Sequence, residues 1–282
     1  MFGFEEYELL DFGGEEKLER FGEVFARRET PAAIGKKNLP GIWNKATCRF
    51  QRDSSSSSNG TWSYEYELPS PWLLPYGPFR FILKPTPFGH LGVFAEQSAN
   101  WQWLLKQPDL KGFKALNLFA YTGGTTMALA AKGCEVTHVD SSKSVVGWAR
   151  DNAAVSGLAE APIRWIVEDA VRYVKREIKR GNRYNIVVAD PPSFGRGTKK
   201  ETWKLERDLG ELLSDLATLC GQQIKAVLIS CHTPGFESPR LGRLVQDAFQ
   251  LDNGTEEPFE MRLETESGRA LPSGSCYRWS CL

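Results

Sequence analysis

The stretch VVADPPSFGRGTKK, positions 187 to 200, sets a carboxylate directly behind a run of apolar, β-branched residues and then stiffens with two prolines. Asp190 and the Pro191 carbonyl could accept hydrogen bonds from an amine held in the turn, and Phe194 offers a flat face on which a base could stack. Behind them Arg196, Lys199 and Lys200, with Lys204 and Arg207 beyond, form a basic loop suited to phosphates. Ser193 stands where a D-P-P-aromatic amine-recognising turn would carry its ring, so the aromatic comes one place later, which argues against the simplest adenine-amine acceptor. A second reactive pair, Cys231 and His232, follows the apolar run KAVLIS. Its thiol could act as a nucleophile, and the imidazole could move a proton. Free cysteine is also a common small core residue, so both readings of Cys231 stand. The six cysteines include no C-x-x-C pair and only three histidines accompany them, which predicts reduced thiols and no metal site.

Two further segments end on polar residues after apolar runs. NLFAYTGGTT, positions 117 to 126, pairs Gly123 with Gly124 and would let a ligand approach the backbone closely. Its spacing is not the G-x-G-x-x-G of a pyrophosphate-binding turn, which argues against a dinucleotide. Asp140 closes EVTHVD, where a carboxylate could accept both hydroxyls of a ribose; its structural role would be to cap the next helix. Asp169, beside Glu168, stands in the same position after IRWIV and could hold an adenine edge or cap a helix. A glycine loop followed by Asp140, Asp169 and Asp190 at successive strand ends favours an adenosyl cofactor without a phosphate.

The elements that must position these residues alternate. Apolar strand-like runs at 114–119, 135–139, 163–167, 184–189 and 225–230 are separated by helical stretches, two of which stop near Gly157 and Gly181. FEMRLE and CYRWSCL read as closing strands. This predicts an α/β fold with a doubly wound, mostly parallel sheet covered on both faces. The first 100 residues differ: aromatics, prolines and glycines with no helical period predict a smaller β-rich domain, with RDSSSSSNG as a loop within it. The expected division is 1–100 and 101–282.

No apolar run approaches the roughly 20 residues that span a bilayer, and the acidic start MFGFEEYELLDFGGEE does not look like a secretory leader. A cytoplasmic protein is expected. With 35 basic and 35 acidic residues the chain has no overall field to attract nucleic acid, so any such surface must be local. The cluster Arg172, Arg176 and Arg180, at i, i+4 spacing with Glu168 and Glu177 nearby, reads as a solvated helix face. No feature speaks to oligomeric state.

Taken together, LNLFAYTGG, VTHVDSSKSVVGWARDN, IRWIVEDAVRYVKRE and RYNIVVADPPSFGRG closely resemble the class I S-adenosylmethionine-dependent methyltransferases, in particular the group that includes the 23S ribosomal RNA 5-methylcytosine enzymes. The resemblance covers about residues 90 to 235 and weakens before them. It implies a seven-stranded sheet, S-adenosylmethionine as cofactor, and Asn117, Tyr121, Gly123, Asp140, Asp169 and Asp190 at cofactor-contacting positions. The segment GVFAEQSANW is similar to one ahead of the family's core that closes over the cofactor, which adds Gln97. The implied acceptor is RNA, ribosomal RNA above all, and at its finest carbon 5 of cytosine. That carbon is a poor nucleophile until a thiolate adds to carbon 6, and Cys231 lies where the resembled group carries its thiol. The alternatives are an exocyclic base nitrogen, a small molecule or a protein as acceptor, or an RNA-binding assembly factor that keeps the fold without catalysis.

Overall fold

The computed structural model describes residues 5–53, 59–196 and 202–282. Two compact units divide the chain, one formed by 1–98 with 262–273 and the other by 99–261 with 274–282.

The first unit is built on five strands, β1 (Tyr7–Gly13), β2 (Glu16–Phe21), β3 (Val24–Glu29), β4 (Cys48–Arg52) and β5 (Gly60–Tyr64), hydrogen-bonded in that order. Pairing is antiparallel except between β3 and β4. A separate hairpin follows, β6 (Leu73–Tyr76) with β7 (Phe79–Ile82). Leu9, Phe12, Ala33 and Ala95 bury their side chains with Leu263 and Leu271 of the returning segment. That segment is also held by charge: Arg269 Nη1 donates to Asp11 Oδ1 at 2.7 Å, and the buried Asp11 accepts from Trp43 Nε1 at 2.9 Å as well. The loop expected at 52–60 lies largely outside the described residues.

The second unit opens with α1 (Ser98–Lys106) and then alternates: β8 (Lys114–Leu118), α2 (Gly124–Ala131), β9 (Glu135–Asp140), α3 (Lys143–Val155), β10 (Ile163–Val167), α4 (Ala170–Lys179) and β11 (Ile186–Ala189). A short hairpin of β12 (Phe194–Arg196) and β13 (Thr202–Lys204) precedes α5 (Leu205–Cys220), β14 (Ala226–Cys231) and α6 (Ser238–Phe249); β15 (Thr255–Glu264) and β16 (Ala270–Ser280) close the chain. Gly157 and Gly181, just past α3 and α4, take left-handed φ values of 74° and 70°, which lets the chain leave each helix at no steric cost.

The resulting seven-stranded sheet has the order β10-β9-β8-β11-β14-β16-β15. Its five strands from β10 to β14 are joined by four parallel pairings, and β16 runs antiparallel to β14. Strands β11 and β14 are buried at every position, as expected for a sheet with helices on both faces. Leu116, Leu118, Val187, Ala189, Val227 and Ile229 meet leucines of α5 and α6 in the main core. Strand order reverses between β8 and β11, so the crevice at their carboxyl ends is where such a sheet binds ligands. Among the described residues no helix is long and apolar enough to cross a membrane.

Candidate active site

Strand β8 ends in a loop whose backbone is forced into uncommon conformations. Phe119 and Tyr121 have φ of 53° and 46°, and Gly123, at the N-cap of α2, has φ of 88°. Non-glycine residues in this region cost on the order of 1 kcal/mol or more each, so surrounding bonds must hold them. Tyr121 N donates to Asp140 Oδ2 at 3.0 Å, Ala120 N to the Val139 carbonyl at 3.1 Å, and buried Asn152 donates through Nδ2 to the Thr122 carbonyl at 2.9 Å. Gly124 is required by packing: a Cβ there would lie 2.4 Å from the Trp101 ring.

Asn117 lies behind this loop rather than on it. Its Nδ2 donates to Thr126 Oγ1 at 2.9 Å, and the same hydroxyl is 2.9 Å from His138 Nδ1. Burial pushes His138 down to about 3, and its Nε2 has no hydrogen-bond partner. The ring is therefore neutral, a rigid support beneath the loop.

Asp140, at the end of β9, faces the loop from the neighbouring strand. Its Oδ2 is held by Tyr121 N at 3.0 Å and its Oδ1 by Ser142 N at 2.9 Å. Burial pushes its carboxyl upward, opposed by the amides of Ser142, Tyr121 and Ser141. A carboxylate with two oxygens steered by backbone amides, beside a loop made narrow by glycine, suits the vicinal hydroxyls of an adenosyl ribose. Capping of α3 falls instead to Ser142, whose Oγ accepts from Val145 N. Asp169 caps α4, its Oδ1 accepting from Arg172 N at 3.0 Å. It also borders a cavity of about 190 Å³ shared with Val171, Trp203 and Leu212. Glu168 pairs with Arg176 of α4, and Glu177 of α4 with Arg180 at its C-cap.

Asp190 follows β11 at the switch point. Ser230 Oγ of β14 donates to its Oδ1 at 2.7 Å, and His232 Nε2 lies 3.7 Å from the same oxygen. The turn behind it is clamped: Pro191 is buried, Trp203 Nε1 donates to the Pro192 carbonyl at 2.6 Å, and Ser193 Oγ lies 2.7 Å from Thr233 Oγ1. Phe194, at the start of β12, is 52% exposed, a large aromatic ring turned to solvent. Arg196 ends that strand, whereas Lys199 and Lys200 lie outside the described residues. Arg207 is engaged by Asp208 and the Thr202 carbonyl, which removes it from the basic loop.

Cys231 is the last residue of β14. It is 1% exposed, belongs to the main core, and its thiol donates weakly to the Phe236 carbonyl at 3.8 Å. Successive residues of a strand face opposite ways, so Ser230 reaches Asp190 while Cys231 turns into the core. Burial pushes the Cys231 thiol up to about 11, far from the thiolate a nucleophile needs. Gln97 lies in a short 3₁₀ turn, Ala95–Gln97, within the first unit, and is 7% exposed. Ser230, Trp203 and Asn152 went unmarked in the sequence; the one signal was a lone hydroxyl in the apolar run of β14.

Residues 49–236 match the family profile described as S-adenosylmethionine-dependent methyltransferase. A crystal structure of a SAM-dependent methyltransferase from Agrobacterium tumefaciens is 32% identical, with a TM-score of 0.87 over 98% of this chain and 90% of that one. The ribosomal RNA large subunit methyltransferase K/L of Pseudoalteromonas atlantica is 30% identical over 195 residues, 68% of this chain. That of Shewanella frigidimarina is 32% identical over 142 residues, 50% of this chain. The chain spans only 25% and 19% of the length of these two curated relatives.

Proposed function

The chain belongs to the S-adenosylmethionine-dependent methyltransferases, and from that premise we propose that it methylates RNA, ribosomal RNA in particular, at a base presented to the Asp190–Phe194 turn. The observation that carries this reading is the Asp190 carboxylate, oriented by Ser230 and followed four residues later by an exposed aromatic ring. The names of the curated relatives support ribosomal RNA as the substrate class. Arg196, Lys199 and Lys200 are the proposed phosphate contacts near the turn. Gln97 is a proposed cofactor contact by the resemblance, and the cytoplasm is the proposed place of action.

S-adenosylmethionine, when bound, supplies a methyl group activated by its sulfonium sulfur. Tyr121, Gly123, Asp140 and Asp169 are proposed to line its adenosyl end, with Asp140 taking the ribose hydroxyls; Asn117 acts through Thr126 to support the loop. The base stacks on Phe194, and Asp190 accepts a hydrogen bond from an exocyclic amine, which raises the electron density of the attacking nitrogen. Transfer of that methyl group to the amine nitrogen, with S-adenosylhomocysteine as the leaving product, would require the amine to lose one proton. Asp190 receives it, and His232 is placed to relay it to solvent.

The carbon 5 reading needs a thiolate on the reacting face. Cys231 would have to leave the core and ionise against its burial, so we place it among the packing residues. Nucleosides from ribosomal RNA of cells with and without the gene, compared by mass spectrometry, test the proposal. An N-methylated base present only with the gene supports it; 5-methylcytosine as the missing product would restore the thiol mechanism, and an unchanged profile would rule out ribosomal RNA.

A further inference from the structure

At the sheet edge opposite Asp140 and Asp190, where β8, β9 and β10 begin, the second unit holds a cavity of about 370 Å³. Lys114, Arg164 and Arg183 line it, and Glu135 is the one carboxylate on its wall. Several cations elsewhere are paired: Arg28 with Glu19, Lys37 with Glu16, Lys175 with Glu211, Arg269 with Asp11. Among the described residues Lys114, Arg164 and Arg183 form no ion pair, and Arg183 donates only to the neighbouring Asn182 carbonyl, at 2.9 Å. Three cations against one carboxylate give the concavity a net positive charge, which favours an anion there.

The wall is a built structure. Glu177 of α4 is fully buried and accepts from Arg180 Nη1 at 3.1 Å, Asn182 Nδ2 at 2.6 Å and Tyr184 OH at 3.2 Å. A carboxylate in the core persists only when satisfied in this way, and here it ties both arms of the turn after α4 to the helix. That turn carries Arg183, and it brings the Tyr184 hydroxyl within 3.2 Å of Tyr173 OH beneath the cavity.

We propose that this cavity binds a phosphate ester. Two guanidinium groups from different elements and one ammonium match the charge and the several acceptor oxygens of a phosphate, and the volume also admits the attached sugar. The same chemistry is offered by the backbone of an RNA substrate and by a free nucleotide; the RNA source rests on the function proposed above, and the nucleotide source does not.

The test uses the whole protein saturated with S-adenosylhomocysteine, so that the cofactor site takes no probe. Wild type and the Arg164→Gln/Arg183→Gln double variant are compared for binding of a ribosomal RNA transcript at several salt concentrations, and of cytidine 5′-monophosphate by calorimetry. Both substituted side chains are exposed, and undiminished S-adenosylhomocysteine affinity reports that the variant is folded. An RNA affinity lowered about tenfold, with the slope of log K against log salt reduced by about 1 to 2, identifies a backbone phosphate. Loss of cytidine monophosphate binding with RNA affinity retained identifies a nucleotide. Equal binding of both probes by wild type and variant overturns the proposal. Failure of wild type to bind S-adenosylhomocysteine would instead overturn the cofactor assignment, leaving the phosphate comparison intact.

Discussion

Ser230 Oγ donates a 2.7 Å hydrogen bond to Asp190 Oδ1, joining the ends of two adjacent parallel strands whose residues are 40 apart in sequence. The bond orients the Asp190 carboxylate at the carboxyl end of β11. Ser230→Ala is expected to lower kcat about tenfold, corresponding to loss of one hydrogen bond to a charged group, with cofactor affinity unchanged. Asp190→Asn, which keeps the shape and removes the proton acceptor, should fall further. Single-turnover methylation beside calorimetric cofactor titration separates these effects; weaker cofactor binding in Ser230→Ala would show that the bond serves the wrong ligand.

Cys231→Ala is expected to retain methyl transfer within about twofold and to lose roughly 1 kcal/mol of stability through the vacated core volume. Activity and a denaturant midpoint are both needed. An inactive but stable variant, together with a wild-type covalent adduct on RNA containing 5-fluorocytosine, would return Cys231 to the reaction.

Asp140→Asn should weaken S-adenosylhomocysteine binding about ten- to a hundredfold, the worth of one or two hydrogen bonds to a carboxylate. Asp169→Asn should cost much less, because Asn also caps helices and the Asp169 Oδ1 is already engaged by Arg172 N. Equal losses in the two variants would place the ribose elsewhere.

His138 sets a pH dependence. Its imidazole is held near 3 in the fold and is ordinary, near 6.5, when unfolded. The unfolded chain thus binds the extra proton first. The contribution to stability is complete above about pH 6.5 and declines as pH falls toward 3, by up to about 1.4 kcal/mol per pH unit. Denaturant midpoints between pH 5 and 6.5 should therefore fall more steeply for wild type than for His138→Gln; parallel curves would mean that the ring is charged in the fold.

Gly124→Ala drives a methyl group into the Trp101 ring, since the Cβ would stand 2.4 Å from it. A loss of about 1 to 3 kcal/mol is expected, seen as a lower melting temperature. Trp101→Leu in the same chain should recover part of it, and strict additivity of the two losses would show that the contact is not the cause.

The alternation of strands and helices was legible because side-chain periodicity is a local property. The caps at Gly157 and Gly181 were legible for the same reason: only glycine takes a left-handed turn freely. The return of 262–273 to the first unit was not, since two strands that read alike along the chain give no sign of where each is packed. Arg207 illustrates the same limit at a single residue. In sequence it extends a basic loop, but in space Asp208 and the Thr202 carbonyl engage it.

By itself the sequence determined that carboxylates would stand at the carboxyl ends of β9 and β11, because a buried run that stops at an acid must stop where water or a ligand can reach it. It also determined the glycines that let the loop after β8 pass beside them. Tertiary structure alone decided the use of the last two residues of β14. A strand turns alternate side chains to opposite faces, so the register of β14 against β11 sends Ser230 to Asp190 and Cys231 into the core. A shift of one residue would have exchanged those roles without altering a single letter of the chain.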